Sequence, residues 1–251
     1  MLSAAKIKLI HSLAHKKFRT ESGLFLAEGT KLNDDLNGRF ECALIAATEE
    51  WFESRRGFKA EQSFAVTPDE LKKASLLQAP QEVLGLYRIP RNDYEPDVAE
   101  KDLCLALDGI QDPGNLGTIV RLADWFGIEH LFCSRNTVDI YNPKSVQATM
   151  GAIARVKVHY VNLSDFIGNQ PEGVPVYGTF MDGNDIYCDG LSRNGIVIMG
   201  NEGSGISDEI GKMVTRRLGI PNYPKGRPTS ESLNVAMAAS IVCSEFRRRF
   251  R

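Results

Sequence analysis

Three stretches of this 251-residue chain hold residues whose types and spacing could do chemistry. Gly200-Asn-Glu-Gly-Ser-Gly205 follows the apolar run Ile196–Met199. Glycines after a strand let backbone N–H and C=O groups approach a ligand closely. The pattern is not Gly-x-Gly-x-x-Gly and lies late in the chain, which argues against an ordinary dinucleotide-binding dehydrogenase. Asn115 and Arg121 lie six residues apart, with Gly114 and Gly117 opening the turn. That spacing points both from one helix N-terminus toward a bound anion. A lone Arg among Ile119, Val120, Leu122 and Ala123 is otherwise a surface residue or a salt-bridge partner. Ser232, Leu233 and Asn234 precede a helical pattern with Val235, Ala238, Ala239 and Val242 on one face. Ser230 or Ser232 can cap that helix, and Glu231 or Asn234 can close its end further. His11, His15, His130 and His159 have no ligand spacing, and no Ser-His-Asp set suggests itself, so no metal centre is expected.

These stretches need elements to position them. Before residue 90 the pattern is βαβα: a basic helical segment over 3–19, a strand over 23–29, a helix at Lys31–Leu36 and a strand at Ala43–Ala46. A helical segment from Thr48, a strand at Phe64–Val66, a capping signal at Thr67-Pro68 and a strand within Gln81–Ile89 complete a small α/β domain over 1–90. Residues 91–101 are charged and proline-bearing and read as a linker. Residues 102–251 form a second domain. Leu103–Leu107 is a continuous apolar run, expected of a strand covered on both faces. Asp112–Asn115 reads as a turn and Thr118–Phe126 as a helix with Gly127 after it. Strands at Glu129–Cys133, Val156–His159, Val174–Thr179 and Gly195–Met199 alternate with helices at Ser145–Met150, Leu163–Ile167 and Ser207–Val214. A short strand around 217–221 and the C-terminal helix follow. The alternation means a parallel sheet with helices on both faces.

Composition bounds the function. Hydrophobic content is 43% and charged content 25%, as in an ordinary globular protein. No run is long enough to span a membrane, and the N-terminus lacks a signal-peptide core, so a cytoplasmic protein is expected. The five cysteines are scattered without a Cys-x-x-Cys pair and are expected to be reduced and buried. Net charge is −2, but the ends are basic. Residues 1–31 carry six cations against Glu21 and Glu28; residues 216–251 carry eight against Glu231 and Glu245. Basic ends can supply phosphate contacts while an acidic remainder suppresses indiscriminate binding; solvated helix faces are the bland alternative.

The stretches Asp108–Gly127, Ile196–Ser207 and Ile220-Pro221 with Ser232–Val235 together resemble the three ordered motifs of the SpoU/TrmH family, RNA ribose 2′-O-methyltransferases of the SPOUT superfamily. The resemblance covers about residue 103 to the C-terminus. It implies a SPOUT domain closed by a deep trefoil knot, S-adenosylmethionine as cofactor, and a homodimer. More loosely, Arg19–Gly29 resembles the start of the family's L30e-like substrate-binding domain. By matching position, Thr179, Gly200, Ile220 and Leu233 are implied to contact the cofactor, although Ile220 and Leu233 read equally as core. Arg121 is implied to be catalytic, binding phosphate and assisting deprotonation of the ribose hydroxyl, with Asn115 in support. Glu202, Ser232 and Asn234 are implied to position reacting groups; Glu202 as a loop partner and Ser232 as a simple cap stay open. The loop Asn222–Glu231 departs from the family pattern, being longer and basic. The expected substrate is structured RNA, 23S rRNA before tRNA. A non-catalytic RNA-binding protein on the same fold is the alternative.

Overall fold

The computed structural model describes residues 2–224 and 232–250. In chain order the elements are α1 (Ala4–Ser12), α2 (Lys16–Ser22), β1 (Leu24–Glu28), α3 (Thr30–Leu36), β2 (Cys42–Ala47), α4 (Glu49–Ser54), β3 (Ser63–Ala65), α5 (Pro68–Ala74) and β4 (Val83–Arg88). They continue with α6 (Val98–Lys101), β5 (Leu103–Asp108), α7 (Pro113–Trp125), β6 (His130–Ser134), α8 (Pro143–Ala148), β7 (Lys157–Val161), α9 (Leu163–Gly168), β8 (Val176–Asp185), β9 (Gly195–Gly200), α10 (Asp208–Gly211), β10 (Arg216–Gly219) and α11 (Val235–Arg248). These form two compact units: residues up to 91 with 139–154, and residues 92–138 with 155 onward.

The first unit is a four-stranded sheet in the order β1-β4-β2-β3. β4 runs antiparallel to both β1 and β2, and β2 parallel to β3. Leu26, Leu44, Ala46, Leu84 and Leu86 from the sheet bury against Ile10 and Leu13 from α1 and its end, and Leu71 of α5. The α3 side holds a closed polar set. Tyr87 donates to Asn33 Oδ1 at 2.8 Å, and Asn33 Nδ2 donates to the Gly29 carbonyl at 2.8 Å. The expected helix over 3–19 is two helices. Arg19 is the reason: its guanidinium donates to the Leu13 and Ala14 carbonyls at 2.7 and 3.1 Å and pairs with Asp139 at 2.6 Å. It is 2% exposed, so this member of the basic N-terminal end is a structural tie and not a phosphate contact.

Residues 139–154, assigned to the second domain from strand alternation, pack in the first unit. Tyr141 lies against Phe25 at a centroid distance of 4.9 Å, and Gln147 Nε2 donates to the Glu28 carbonyl at 2.7 Å. Alternation of strand and helix says nothing about which core a helix joins, so sequence spacing could not show this.

The second unit is a six-stranded parallel sheet, β10-β8-β9-β5-β6-β7. β5 is buried along its length, as its unbroken apolar run requires. Cys104, Ala106, Phe132, Ile196 and Ile198 pack on α9 and α10 residues Leu163, Phe166, Ile167 and Ile210. Two elements differ from expectation. α7 starts at Pro113, five residues before the expected Thr118, because Asp112 caps it and Pro113 presets the first turn. β8 runs on to Asp185, and its pairing with β10 jumps between Gly178 and Asn184. A Cβ on Gly183 would lie 2.3 Å from the Leu218 carbonyl carbon, so only glycine permits that second pairing.

Four cysteines are buried and unpaired, as expected, but Cys188 is exposed. No helix among the described residues is long and apolar enough to cross a membrane.

At the β6–β7 edge His130 Nδ1 lies 3.1 Å from His159 Nε2, with the rings stacked. Phe132 stacks on His159, and Tyr94 meets it edge-on. Burial pushes both imidazoles down, His159 to about 4. The folded pair is therefore neutral where the unfolded chain takes up protons, so stability falls as pH drops from about 6.5 to about 4 and is unaffected by this pair above that window. The expected loss is of order 3 kcal/mol. Urea midpoints from pH 7.5 to 4.5 check it: a His159→Phe variant should lose most of that slope, and an unchanged slope refutes the assignment.

Candidate active site

Several candidate residues lie at the C-terminal edge of the parallel sheet, where α/β proteins bind ligands. Register places Asp108, the last residue of β5, beside Gly200, the last of β9. Asp108 is buried and its Oδ2 accepts from the Ser207 N–H at 2.8 Å. Asn201 Nδ2 donates to the Gly109 carbonyl at 2.7 Å, and its Oδ1 accepts from the Gly203 and Ser204 N–H groups at 2.9 and 3.0 Å. The glycine loop is thus folded by one asparagine and tied to the turn before α7. A Cβ on Gly200 would lie 2.3 Å from the Gly205 carbonyl carbon, so the loop closes on itself only with glycine there.

Asn115, Glu202 and Asn234 come together. Asn115 Nδ2 donates to Glu202 Oε1 at 2.8 Å, and Asn115 Oδ1 accepts from Asn234 Nδ2 at 3.0 Å. Asn234 also caps α11, its Oδ1 accepting from Ala236 and Met237 N–H at 3.0 and 3.3 Å. Asn115 is half-buried, and its backbone N–H donates to the Asp112 cap at 2.8 Å. Three segments far apart in the chain are therefore locked at one amide, leaving Glu202 a second oxygen with no partner among the described residues.

Arg121 is not part of that network. The early start of α7 puts it in the third turn, ~12 Å along the axis from Pro113, so the expected projection of Asn115 and Arg121 from one helix N-terminus is corrected. Arg121 is exposed and makes no hydrogen bond or ion pair among the described residues. Its long side chain leans toward the helix N-terminus.

Thr179, Gly200 and Ile220 lie at or just past the ends of the parallel-paired stretches of β8, β9 and β10, three neighbouring strands. Thr179 Oγ1 donates to the Ile198 carbonyl at 3.1 Å. Ile220 is half-buried, and Leu233, against the core reading, is 49% exposed. Ser232 is exposed beside Leu233. The proposed Ser230 and Glu231 caps lie outside the described residues. Among the described residues no group of His, Cys, Asp or Glu is arranged to hold a metal.

Sequence reading missed Asp108 and Asn201, which shape the site without standing out. Asp108 had a signal, a carboxylate closing a wholly apolar strand. The described arginines of the C-terminal helix make internal contacts. Arg247 donates to the Phe126 and Gly127 carbonyls at 2.6 and 2.9 Å, closing the end of α7. Arg248 and Arg249 bind the buried Glu245, whose carboxyl the Arg248 hydrogen bond, with help from Arg249, holds down at about 2. Arg249 also donates to the Ile186, Tyr187 and Asp189 carbonyls at 3.0, 2.7 and 2.6 Å. Lys225 and Arg227 lie outside the described residues.

Comparison with known proteins decides the family. Residues 102–244 match the SpoU rRNA Methylase family. The chain belongs to that family. Residues 4–85 match the MRM3-like substrate binding domain. The 23S rRNA (guanosine(2553)-2′-O)-methyltransferase RlmP of Bacillus subtilis is 29% identical over 96% of this SpoU chain and 96% of its own. A Porphyromonas gingivalis protein assigned to the TrmH family of RNA methyltransferases superposes with TM-score 0.90 at 38% identity, covering 99% of each chain. AdoMet-bound rRNA methyltransferase from Sinorhizobium meliloti gives 0.84 at 29% identity over 100% of this chain and 97% of that one.

The asparagine bridge predicts a split between two substitutions. Asn234→Ala removes a helix cap as well as the bridge and should cost about 1 kcal/mol in urea unfolding. Asn115→Ala removes only half-exposed side-chain bonds and should cost about half that or less. Equal losses would show that the α11 cap is not what Asn234 contributes.

Proposed function

We propose that this SpoU-family protein transfers a methyl group from S-adenosylmethionine to a ribose 2′-oxygen of 23S ribosomal RNA. The observation that carries it is the locked Asn115–Glu202–Asn234 set at the sheet edge, with Arg121, which has no partner among the described residues, on the same helix as Asn115. Similarity along nearly the whole chain to a 23S rRNA enzyme supports the substrate class.

The residues present fit the cofactor. The Gly200–Gly205 loop, closed on its own backbone at Gly200, lies at the strand ends beside Thr179. Thr179, Gly200, Ile220 and Leu233 would hold the nucleoside and its amino acid part. When bound, S-adenosylmethionine supplies a methyl group already activated on a sulfonium. The chain's remaining task is to place the ribose oxygen in line and to assist loss of its proton. Arg121 is too basic to be a simple base. Its guanidinium orients a phosphate and stabilises the developing alkoxide. Asn115 fixes Glu202, and Ser232 hydrogen-bonds near the reacting oxygen.

Phosphates of the RNA are met by the N-terminal unit. Lys8 and Lys16 have no ion-pair partner among its described residues, whereas the described C-terminal arginines of the last helix are committed to internal acceptors. We also assign the knot and the homodimer that the family resemblance implies. Return of the chain from the edge strand β10 to α11, whose Arg247 closes α7, fits a threaded C-terminus. Trp125 and Met237, 84% and 64% exposed, fit a face covered by a second copy.

Calorimetry with S-adenosylmethionine and tritiated-methyl transfer to 23S rRNA and to tRNA test this. Wild type should bind and label 23S rRNA. Arg121→Ala should bind the cofactor within a few-fold of wild type and lose roughly 10²–10³ in kcat. Labelling of tRNA alone would move the substrate class, and neither binding nor transfer by wild type would leave an RNA-binding protein without the activity.

A further inference from the structure

The N-terminal unit holds a groove of about 440 Å³ that the methyl-transfer site does not use. Its size falls in the ~300–1,000 Å³ typical of small-ligand sites. Leu26, Leu76, Leu77, Pro143 and Ala148 form apolar walls; Glu28 and Gln147 supply the polar groups, and Lys144 is exposed at the rim. Glu28 is 5% exposed. One of its oxygens accepts from the Leu76 N–H at 3.0 Å and the other from the Ser75 hydroxyl. Among the described residues each oxygen therefore keeps one lone-pair direction unused. Gln147 spends its Nε2 on the Glu28 carbonyl, at 2.7 Å, and nothing among the described residues donates to its Oε1. Burial raises the Glu28 carboxyl, the Ser75 and Leu76 hydrogen bonds and His11 opposing. A ligand that brings N–H donors would relieve that cost.

Apart from the Lys144 cation at the mouth, the polar side-chain atoms the groove leaves without a donor among the described residues are acceptors, the Glu28 carboxylate and the Gln147 amide oxygen. Guanine presents adjacent N1–H and N2–H donors, a match to one carboxylate, on a flat ring suited to apolar walls. Single-stranded RNA is read in this way, by bases splayed out of the stack. We propose that this groove takes an unstacked guanine of the RNA substrate, its N1–H and N2–H donated to Glu28 and its phosphate met by Lys144. The inference rests on the RNA-substrate reading above and adds to it a base-specific contact remote in sequence from Arg121.

Methyl-labelled NMR of the full chain tests it with guanosine 5′-monophosphate as probe. The Leu26, Leu76 and Leu77 methyls should shift with the guanine nucleotide and not with uridine 5′-monophosphate. Glu28→Gln keeps an acceptor for the Leu76 N–H but opposes donors with its own amide. It should weaken the probe ~10-fold or more and raise KM for RNA similarly, while calorimetric binding of S-adenosylmethionine stays as in wild type. Ala148→Phe, which fills the groove, should do the same. The proposal fails if the methyls do not respond to the guanine nucleotide, if both variants bind it as wild type does, or if arginine amide shifts them instead, which would mark a seat for a protein side chain. The probe experiment needs no methyl transfer, so a groove that binds guanine in an inactive protein would overturn the function and not the groove.

Discussion

Pairing of β5 with β9 in one register is the constraint on which the second unit depends. It sets Asp108 beside Gly200, and the two loops that leave these residues are then close enough for Asp108 to hold the Ser207 N–H and Asn201 to hold the Gly109 carbonyl. A slip of one residue would turn Asp108 to the opposite face and break both ties. Both strands are almost purely apolar and buried. Burial of that run stabilises the pairing, and the polar ends mark where the sheet stops and chemistry begins.

Rigidity reaches the site through small polar side chains. Asn115 spends both ends of its amide, Asn234 caps a helix while it bridges, and Asn201 folds a glycine loop. Carboxamides suit this task because each offers donor and acceptor without a charge to desolvate. Arg121 is the contrasting case, an exposed cation with no partner among the described residues, left able to meet an anionic substrate. In the first unit Arg19 is buried and fully engaged by two carbonyls and Asp139. The same residue type has opposite duties according to what the fold puts around it.

Charge read along the chain does not show which cations the fold already engages. The basic C-terminal end looked like a phosphate surface, yet Arg247 closes α7 and Arg248 and Arg249 clasp Glu245. Helix C-termini leave carbonyls unsatisfied, and arginine satisfies them well. Counting cations cannot separate that role from RNA binding. The helix start of α7 was legible in Asp112 and Pro113, but the same two residues also spell a turn, and the turn reading misplaced Arg121 relative to Asn115.

By itself the sequence determined the parallel α/β architecture and the family and proposed a list of site residues, because apolar periodicity and the three ordered motifs are local signals that survive without coordinates. Tertiary structure alone decided which of those residues meet. It joined 115, 202 and 234 at one amide, left 121 apart, and sent 139–154 back to the first unit to wall a groove with Glu28. Each of these is a contact between segments far apart in the chain, fixed by strand register and by which core a helix buries in, and neither is written in local spacing.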